Sequence, residues 1–287
     1  MKIGMNLLLW TAKVTEQDNP LLNRLKKIGF DGVEVPVFEG SPAEYKALGK
    51  TLSDQGLGAT AVTVMDVNAN PISPDRAVRR TAVDRLKWVI DRCADSGAEL
   101  LCGPLHSPLG VFSGTAPTRD ESKWGTETFH AVAPYAASAK VDIAVEYLNR
   151  FENYFLTTAR DTLAWVDTID HPVCGMMWDT FHAHIEEKEI SPCIEAIRPR
   201  LKHVHISEND RGTPGTGQVR WDENFKALRK IGYDRWLTIE AFGRALPELA
   251  AATRVWRDLF SDAESLSREG LAFIRERWNL AAPRKEI

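Results

Sequence analysis

The feature that most constrains the fold of this chain is an eightfold alternation of short apolar segments with helical segments. Alternating strands and helices build parallel sheets, because each helical crossover returns the chain to the same end of the sheet. A chain of 287 residues is long enough for eight such units to close into one barrel. The sequence therefore predicts an α/β fold, a single (β/α)₈ barrel, with strands at about 2–10, 32–37, 58–65, 100–105, 142–148, 174–180, 201–207 and 236–242.

The helix boundaries are predicted from prolines, caps and glycines. Ser73, for example, precedes Pro74 as a cap before a first-turn proline. A further helix is expected at 262–278 and a flexible, charged tail at 279–287, so that residues 1–287 form one domain. The other helices are expected to begin near Asn19, Pro42, Pro74, Lys123, Phe155, Glu189, Trp221 and Pro247.

Charge and composition argue against several classes of protein. The net charge of −4 provides no field suited to nucleic acid, and no apolar run is long enough to span a membrane. The four cysteines have no C-x-x-C spacing and indicate free thiols, and the first residues predict a strand rather than a signal peptide. We therefore expect a cytoplasmic protein that binds neither nucleic acid nor membranes.

Four of the expected strands end on side chains that bind divalent metals. Catalytic residues of a (β/α)₈ barrel lie at the C-terminal strand ends, so these side chains are expected to meet. Three carboxylates and one imidazole suit Mn²⁺, Co²⁺ or Mg²⁺ better than a thiolate-bound metal. His203 faces the same interior one layer lower, so we expect it to be a hydrogen-bonded core histidine. The four candidate ligands are Glu146, Asp179, His205 and Glu240.

The segments around these candidate ligands resemble a known enzyme family. They read E-x-x-N-R-F-E at 146–152, D-T-F-H at 179–182 and H-V-H-I-S-E-N-D-R at 203–211. Together they look like the signature segments of the ketose 3-epimerases, a group of xylose-isomerase-like TIM barrels that includes D-tagatose, D-psicose (D-allulose) and L-ribulose 3-epimerases. The similarity extends from Met1 to about Trp278.

The resemblance implies a metal-dependent epimerase that inverts C3 of free ketohexoses and ketopentoses. Glu146, Asp179, His205 and Glu240 would bind the metal, with Mn²⁺ preferred and Co²⁺ or Mg²⁺ as alternatives. Glu146 and Glu240 would also exchange the C3 proton on opposite faces of a cis-enediolate that the metal stabilises. The expected substrate pairs are D-allulose/D-fructose, D-tagatose/D-sorbose and L-ribulose/L-xylulose, and we expect a homodimer or homotetramer.

Four further residues are candidates for binding the sugar. Glu152, His182 and Arg211 match family positions that hold substrate, whereas spacing alone fits a loop Glu–Arg ion pair equally well. His106 follows the fourth expected strand and either contacts sugar or caps a loop. One departure lies at 183–184, where this chain has Ala-His and the family usually has Met-Asn. This departure leaves the candidate ligands intact but leaves the preferred ketose open.

Three other functions remain compatible with such a barrel. An aldose–ketose isomerase would move a proton between C1 and C2, and a keto-inositol dehydratase would eliminate water. A non-catalytic sugar-binding barrel is expected to have lost one of the two glutamates, whereas both are present here. Seven scattered histidines are too few for the three-zinc cluster of the related endonucleases.

Overall fold

Eight parallel strands close into a barrel in the computed structural model, which describes residues 1–282. Each strand pairs with the next along the chain, and the ring closes where β8 pairs with β1, with Lys2 opposite Trp236. The (β/α)₈ barrel predicted from the sequence is confirmed. The strands are β1 (Lys2–Asn6), β2 (Gly32–Pro36), β3 (Gly58–Val62), β4 (Ala98–Gly103), β5 (Asp142–Val145), β6 (Cys174–Asp179), β7 (Leu201–Ile206) and β8 (Trp236–Ile239).

Helices follow the strands and pack around the barrel. The helices are α1 (Asn19–Ile28), α2 (Pro42–Asp54), α3 (Arg76–Ser96), α4 (Arg119–Ala139), α5 (Ala159–Ile169), α6 (Thr180–Glu186), α7 (Ile190–Ile197), α8 (Trp221–Lys230), α9 (Pro247–Thr253) and α10 (Ala263–Leu280). The last of these, α10, is the predicted C-terminal helix, and it ends at Leu280 rather than at Trp278. Residues 283–287 of the predicted tail lie outside the described residues, and the assignment of the whole chain to one domain stays a prediction.

Three helices begin two or more residues from their predicted starts, because side-chain caps fix their first turns. α3 begins at Arg76 with Asp75 as its N-cap, so the predicted cap at Ser73 before a first-turn Pro74 is wrong. α4 begins before its predicted start near Lys123, since Thr118 and Glu121 form a reciprocal capping box. α5 begins after its predicted start near Phe155, since the Thr158 side chain accepts a hydrogen bond from a backbone N–H in the first turn. The position of the cap sets each boundary.

Four strands, β1, β3, β5 and β8, end three or four residues before their predicted ends. β1 ends at Asn6, whose side chain accepts a hydrogen bond from the Leu8 N–H and starts a 3₁₀ turn at Leu7–Leu9. β5 and β8 also end early, so that Glu146 and Glu240 are the first residues after their strands. Both glutamates therefore lie at the C-terminal end of the barrel, just beyond the strands of the sheet.

The interior of the barrel is partly polar. The main apolar core lies among the strands and surrounding helices, and a smaller apolar cluster includes Val62, Leu100, Ala144 and Met177. Because side chains alternate between the two faces of a strand, every second side chain points into the barrel. This set contains the buried polar residues Asn6, Glu34, Thr60, His203, His205 and Thr238. Polar groups inside a barrel need partners, and those partners organise the site described below.

The predictions made from composition can be compared with the described chain. Cys93, Cys102 and Cys174 are buried free thiols, and Cys193 is a partly exposed one. Across residues 1–282, no helix combines the length and the apolar character that crossing a membrane requires.

Candidate metal centre and active site

All four predicted ligands meet at the C-terminal mouth of the barrel. One donor atom from each of Glu146, Asp179, His205 and Glu240 lies within 4.8 Å of the others, and all four residues are buried. His205 Nδ1 is 3.3 Å from Glu240 Oε1, 3.6 Å from Asp179 Oδ2 and 4.0 Å from Glu146 Oε1. Ligands about 2.1 Å from one cation are separated by about 3–4 Å, so the spacing suits a single ion.

The local fold orients Asp179 towards this point. It is the last residue of β6 and pairs in register with His205 of β7. Its Oδ1 accepts hydrogen bonds from the backbone N–H groups of Phe181 at 2.6 Å and His182 at 3.4 Å, as the N-cap of α6. Because Oδ1 is held by the helix, Oδ2 faces His205 and Arg211. A short helix that the sequence did not predict thus positions one candidate ligand.

The donor set and its charge fit a divalent cation. His205 Nδ1 is buried and has no hydrogen-bond partner among the described residues, so this nitrogen is available to bind a metal ion. Three carboxyl groups and one guanidinium, that of Arg211, meet here, so a cation would balance the excess negative charge of the ionised carboxylates. Carboxylate oxygens with one imidazole nitrogen suit Mn²⁺, Co²⁺ or Mg²⁺.

The crowding of carboxylates perturbs the protonation of the site. Burial raises the pKa of Glu146 well above its usual value, and the charge of Glu240 raises it further. Burial would also raise the pKa of Asp179, but Arg211 and the neighbouring histidines lower it well below the usual range. Burial opposes a charged imidazole, yet nearby carboxylates raise the pKa of His205. A cation between these groups would compete with protons for the same atoms.

Arg211 is held rigidly beside the four candidate ligands. Its Nη1 donates to Glu240 Oε2 at 2.6 Å, to Ser207 Oγ at 2.9 Å and to Asp179 Oδ2 at 3.2 Å. Its guanidinium carbon lies 3.7 Å from the centre of the Phe181 ring, a cation–π contact. The backbone of Arg211 adopts φ +66°, an uncommon value for a residue with a side chain, so packing and hydrogen bonds must enforce it.

His182 connects Arg211 to Glu146. The backbone N–H of Asn149 donates to His182 Nδ1 at 2.9 Å, so this ring nitrogen acts as a hydrogen-bond acceptor. His182 Nε2 lies 3.1 Å from Arg211 Nη2 and 3.5 Å from Glu146 Oε1. Burial lowers the pKa of His182 to about 3, so the ring is neutral at physiological pH.

The other two predicted substrate-binding residues lie nearby but outside the group of four. Glu152 accepts a hydrogen bond from Asn149 Nδ2 at 3.0 Å, and burial raises its pKa. Within residues 1–282, Glu152 and Arg211 form no direct ion pair, so the simple loop ion pair is not what brings them together. His106 is buried, with Nδ1 2.8 Å from Ser107 Oγ and Nε2 unpartnered among the described side chains.

Sequence reasoning missed the roles of two residues beneath this mouth. Asn6 Nδ2 donates to Glu34 Oε1 at 2.9 Å and to Glu240 Oε1 at 3.4 Å. Glu34 Oε1 also accepts from His205 Nε2 at 2.8 Å. His203 was expected to be a core histidine, and its Nε2 lies 2.8 Å from Glu34 Oε2, away from the four candidate ligands. The inward phase of each strand was the only signal in the sequence for Asn6 and Glu34.

Two clefts open at opposite ends of the barrel. A cleft of ≈ 410 Å³ opens beside Arg211 and Glu152, and the exposed Trp256 lies at its edge. A larger one of ≈ 670 Å³ lies at the N-terminal ends of the strands, where Lys2 and Glu99 form an ion pair at 2.9 Å. Active sites of such barrels lie at the C-terminal ends of the strands, so of these two the cleft beside Arg211 and Glu152 lies at the relevant end.

Comparisons with known sequences agree with this geometry. The family model described as xylose isomerase-like TIM barrel matches residues 22–277. A ketose 3-epimerase of Arthrobacter globiformis is 32% identical over 282 residues, covering 96% of this chain and 96% of that protein. A probable ketose 3-epimerase of Synechocystis sp. is 31% identical over 279 residues, with 96% of each chain covered.

Solved structures give the same result. An L-ribulose 3-epimerase superposes with a TM-score of 0.94 at 29% identity, covering 100% of this chain and 99% of that one. A D-allulose 3-epimerase from Methylomonas sp., in complex with D-allulose, has a TM-score of 0.90 at 27% identity and covers 96% of this chain and 97% of that one. The chain therefore belongs to the xylose isomerase-like TIM barrel family and, within it, to the ketose 3-epimerases, which are isomerases.

Proposed function

We propose that this protein is a divalent-metal-dependent 3-epimerase of free ketohexoses and ketopentoses. The observation that carries the proposal is the placement of two glutamates, Glu146 and Glu240. They follow strands that two other strands separate, and both belong to one group of three carboxylates and one imidazole. Inversion of a carbon needs one group to remove a proton from one face and another to return it to the opposite face. Two carboxyls on opposite sides of a flat intermediate meet that requirement.

Glu146, Asp179, His205 and Glu240 would hold the cation, with Mn²⁺ preferred and Co²⁺ or Mg²⁺ as alternatives. When bound, a divalent cation supplies Lewis acidity and stabilises the negative charge that develops next to the sugar carbonyl. His205 contributes Nδ1 to this role because its Nε2 is already held by Glu34. Asp179 contributes Oδ2 because its Oδ1 caps α6.

The two glutamates differ in environment in a way that suits a proton exchange. Glu240 accepts a hydrogen bond from the Arg211 guanidinium at 2.6 Å, an arrangement that stabilises a carboxylate able to act as base. Burial and the charge of Glu240 raise the pKa of Glu146, which suits this carboxyl to hold a proton. In one direction Glu240 would remove the C3 proton and Glu146 would return one. The reverse reaction exchanges the two roles.

The residues around this pair are suited to sugar hydroxyls. Arg211 and Glu152 line the cleft, where they present N–H donors and a carboxylate acceptor, and His182 Nε2 lies 3.1 Å from Arg211 Nη2. His106 has an unpartnered Nε2 and is neutral, because burial lowers its pKa to about 3. We assign these four residues to substrate binding.

The substrate class follows from the relatives and from the charge of the site. Relatives at 30–32% identity are named for D-psicose, L-ribulose or ketoses in general, and one similar structure contains D-allulose. Beside the carboxylates, Arg211 is already engaged by Asp179 and Glu240, so it is poorly placed to neutralise a phosphate. We therefore propose free ketoses such as D-allulose, D-fructose, D-tagatose and L-ribulose. Cytoplasmic location and assembly as a homodimer or homotetramer stay predictions.

A screen of free ketoses with added Mn²⁺, with products resolved by chromatography, tests this function. We expect C3 epimers as products, and no reaction after chelation of the metal until Mn²⁺ is returned. E146Q and E240Q should remain folded and lose turnover. An aldose product would favour an aldose–ketose isomerase, and a dehydrated product would favour a keto-inositol dehydratase. Sugar binding without any product would favour a non-catalytic barrel.

A further inference from the structure

A second buried cluster lies directly beneath the candidate metal centre. Its centre is the carboxylate of Glu34, which is fully buried. Oε1 accepts hydrogen bonds from His205 Nε2 at 2.8 Å and Asn6 Nδ2 at 2.9 Å. Oε2 accepts from Thr60 Oγ1 at 2.9 Å and Cys102 Sγ at 3.2 Å, and His203 Nε2 lies 2.8 Å away. No lysine or arginine contacts Glu34 in the described chain.

The spacing of atoms distinguishes this cluster from the candidate metal centre. Around His205 Nδ1 the carboxylate oxygens lie 3.3–4.0 Å away, as expected of ligands that surround an ion. Around Glu34 the contacts to Asn6, Thr60 and His205 are 2.8–2.9 Å, the length of direct hydrogen bonds. The lower cluster is therefore a hydrogen-bonded support rather than a second cation site, although it contains a cysteine and a histidine.

This support determines how His205 presents its ring. An imidazole that binds a cation through one nitrogen must have its lone pair there and its proton on the other nitrogen. Glu34 can accept a hydrogen bond only from the Nε2–H of His205, since Nδ1 points to the opposite side, towards Glu146, Asp179 and Glu240. Burying a carboxylate is costly, so the presence of Glu34 beneath His205 points to a function for this side chain.

We propose that Glu34 is a positioning residue that fixes His205 with Nδ1 facing the cation site and Nε2 bonded to the support. The inference rests on the proposed cation site and adds a residue that acts through a ligand. Carboxylates that accept from the far nitrogen of a metal-binding histidine typically strengthen metal affinity by about 10–100-fold.

Asn6 extends the same support to Glu240. Its Oδ1 accepts a hydrogen bond from the Leu8 N–H at 2.9 Å, which turns its amide NH₂ towards the two carboxylates. That NH₂ donates to both Glu34 and Glu240, at 2.9 Å and 3.4 Å. One buried hydrogen-bond network therefore orients two of the four candidate ligands.

The test is the Mn²⁺ affinity of metal-free E34Q, measured by titration with detection of free Mn²⁺ by electron paramagnetic resonance. The matched control is E208Q: Glu208 is also fully buried and accepts from Gly215 N–H at 2.7 Å and Trp221 Nε1 at 3.0 Å, but contacts none of the candidate ligands. We expect E34Q to bind Mn²⁺ about 10–100-fold more weakly than the unaltered protein. E208Q should stay within about threefold, even if it is less stable.

The outcomes separate this inference from the proposed function. If the unaltered protein does not bind Mn²⁺, the proposed cation site fails, and the support loses its purpose with it. If the unaltered protein binds Mn²⁺ and folded E34Q binds it equally well, the positioning role of Glu34 is wrong. If E34Q does not fold, long-range ¹H–¹⁵N correlation spectra of the Mg²⁺-loaded unaltered protein decide. A His205 proton on Nε2 supports the inference, and a proton on Nδ1 overturns it.

Discussion

Removal of the guanidinium of Arg211 should make the stability of this protein depend on metal. R211M keeps a long, flexible apolar side chain but deletes the positive charge that contacts Asp179 Oδ2 at 3.2 Å and Glu240 Oε2 at 2.6 Å. Both carboxylates are buried, so metal-free R211M would contain uncompensated negative charges. Breaking a buried ion pair from one side costs about 3–5 kcal/mol.

The magnitude can be converted into a melting temperature. For a domain of this size, about 1 kcal/mol corresponds to about 2 °C, so metal-free R211M should melt about 6–10 °C below the unaltered protein. Mn²⁺ bound between Asp179 and Glu240 would supply the missing charge. Addition of Mn²⁺ should therefore raise the melting temperature of R211M more than that of the unaltered protein. Calorimetry in a chelator and in excess Mn²⁺ measures both differences.

R244M is the matched control for this experiment. Arg244 and Asp258 form a two-bond ion pair with both distances at 2.8 Å, but both side chains are exposed. The same substitution there should lower stability by less than about 1 kcal/mol, with or without Mn²⁺. The reasoning is refuted if R211M is as stable as the unaltered protein without metal. It is also refuted if the loss is unchanged by Mn²⁺ that demonstrably binds.

Three further predictions concern activity and pH. E146Q and E240Q should each lower kcat by about 10²–10⁴-fold at saturating Mn²⁺, and near-normal turnover in either would exclude that residue as a proton-exchanging group. Chelation should abolish epimerisation and Mn²⁺ should restore it, whereas full activity of verified metal-free protein would contradict the cation site. Burial lowers the pKa values of His106 and His182 from 6.5 to about 3. Below pH 6.5 the unfolded chain therefore binds protons that the folded chain does not. The free energy of unfolding should fall towards pH 3, by up to about 1.4 kcal/mol per pH unit for each histidine. In H106Q, the free energy of unfolding measured with urea should fall less steeply with decreasing pH.

The fold was largely predictable because the barrel follows from a periodic pattern. Eight apolar segments, each followed by a helical segment, admit few other arrangements. The meeting of Glu146, Asp179, His205 and Glu240 was predictable for the same reason, since the C-terminal ends of the strands share one face of the barrel. The ends of the elements were harder to predict, because side-chain caps such as Asn6 override the apolar pattern.

The support beneath the site was not predictable. Asn6, Glu34 and Thr60 lie on three different strands, and only closure of the barrel brings Asn6 beside Glu240, which follows β8. Each is a single polar residue in an apolar segment, which on its own fits an ordinary hydrogen-bonded core residue. The left-handed backbone of Arg211 was equally hidden, since it depends on the loop after β7 packing against the residues that follow β8.

Solvent labelling at C3 tests the central claim most directly. If Glu146 and Glu240 act from opposite faces, the proton returned need not be the proton removed, because a carboxyl exchanges with water between turnovers. Epimerisation of D-allulose or L-ribulose in D₂O with Mn²⁺ should place deuterium at C3 of the product and leave C1 unlabelled, as read by NMR and mass spectrometry. Deuterium confined to C1 or C2 of an aldose product would contradict the account and identify an aldose–ketose isomerase instead.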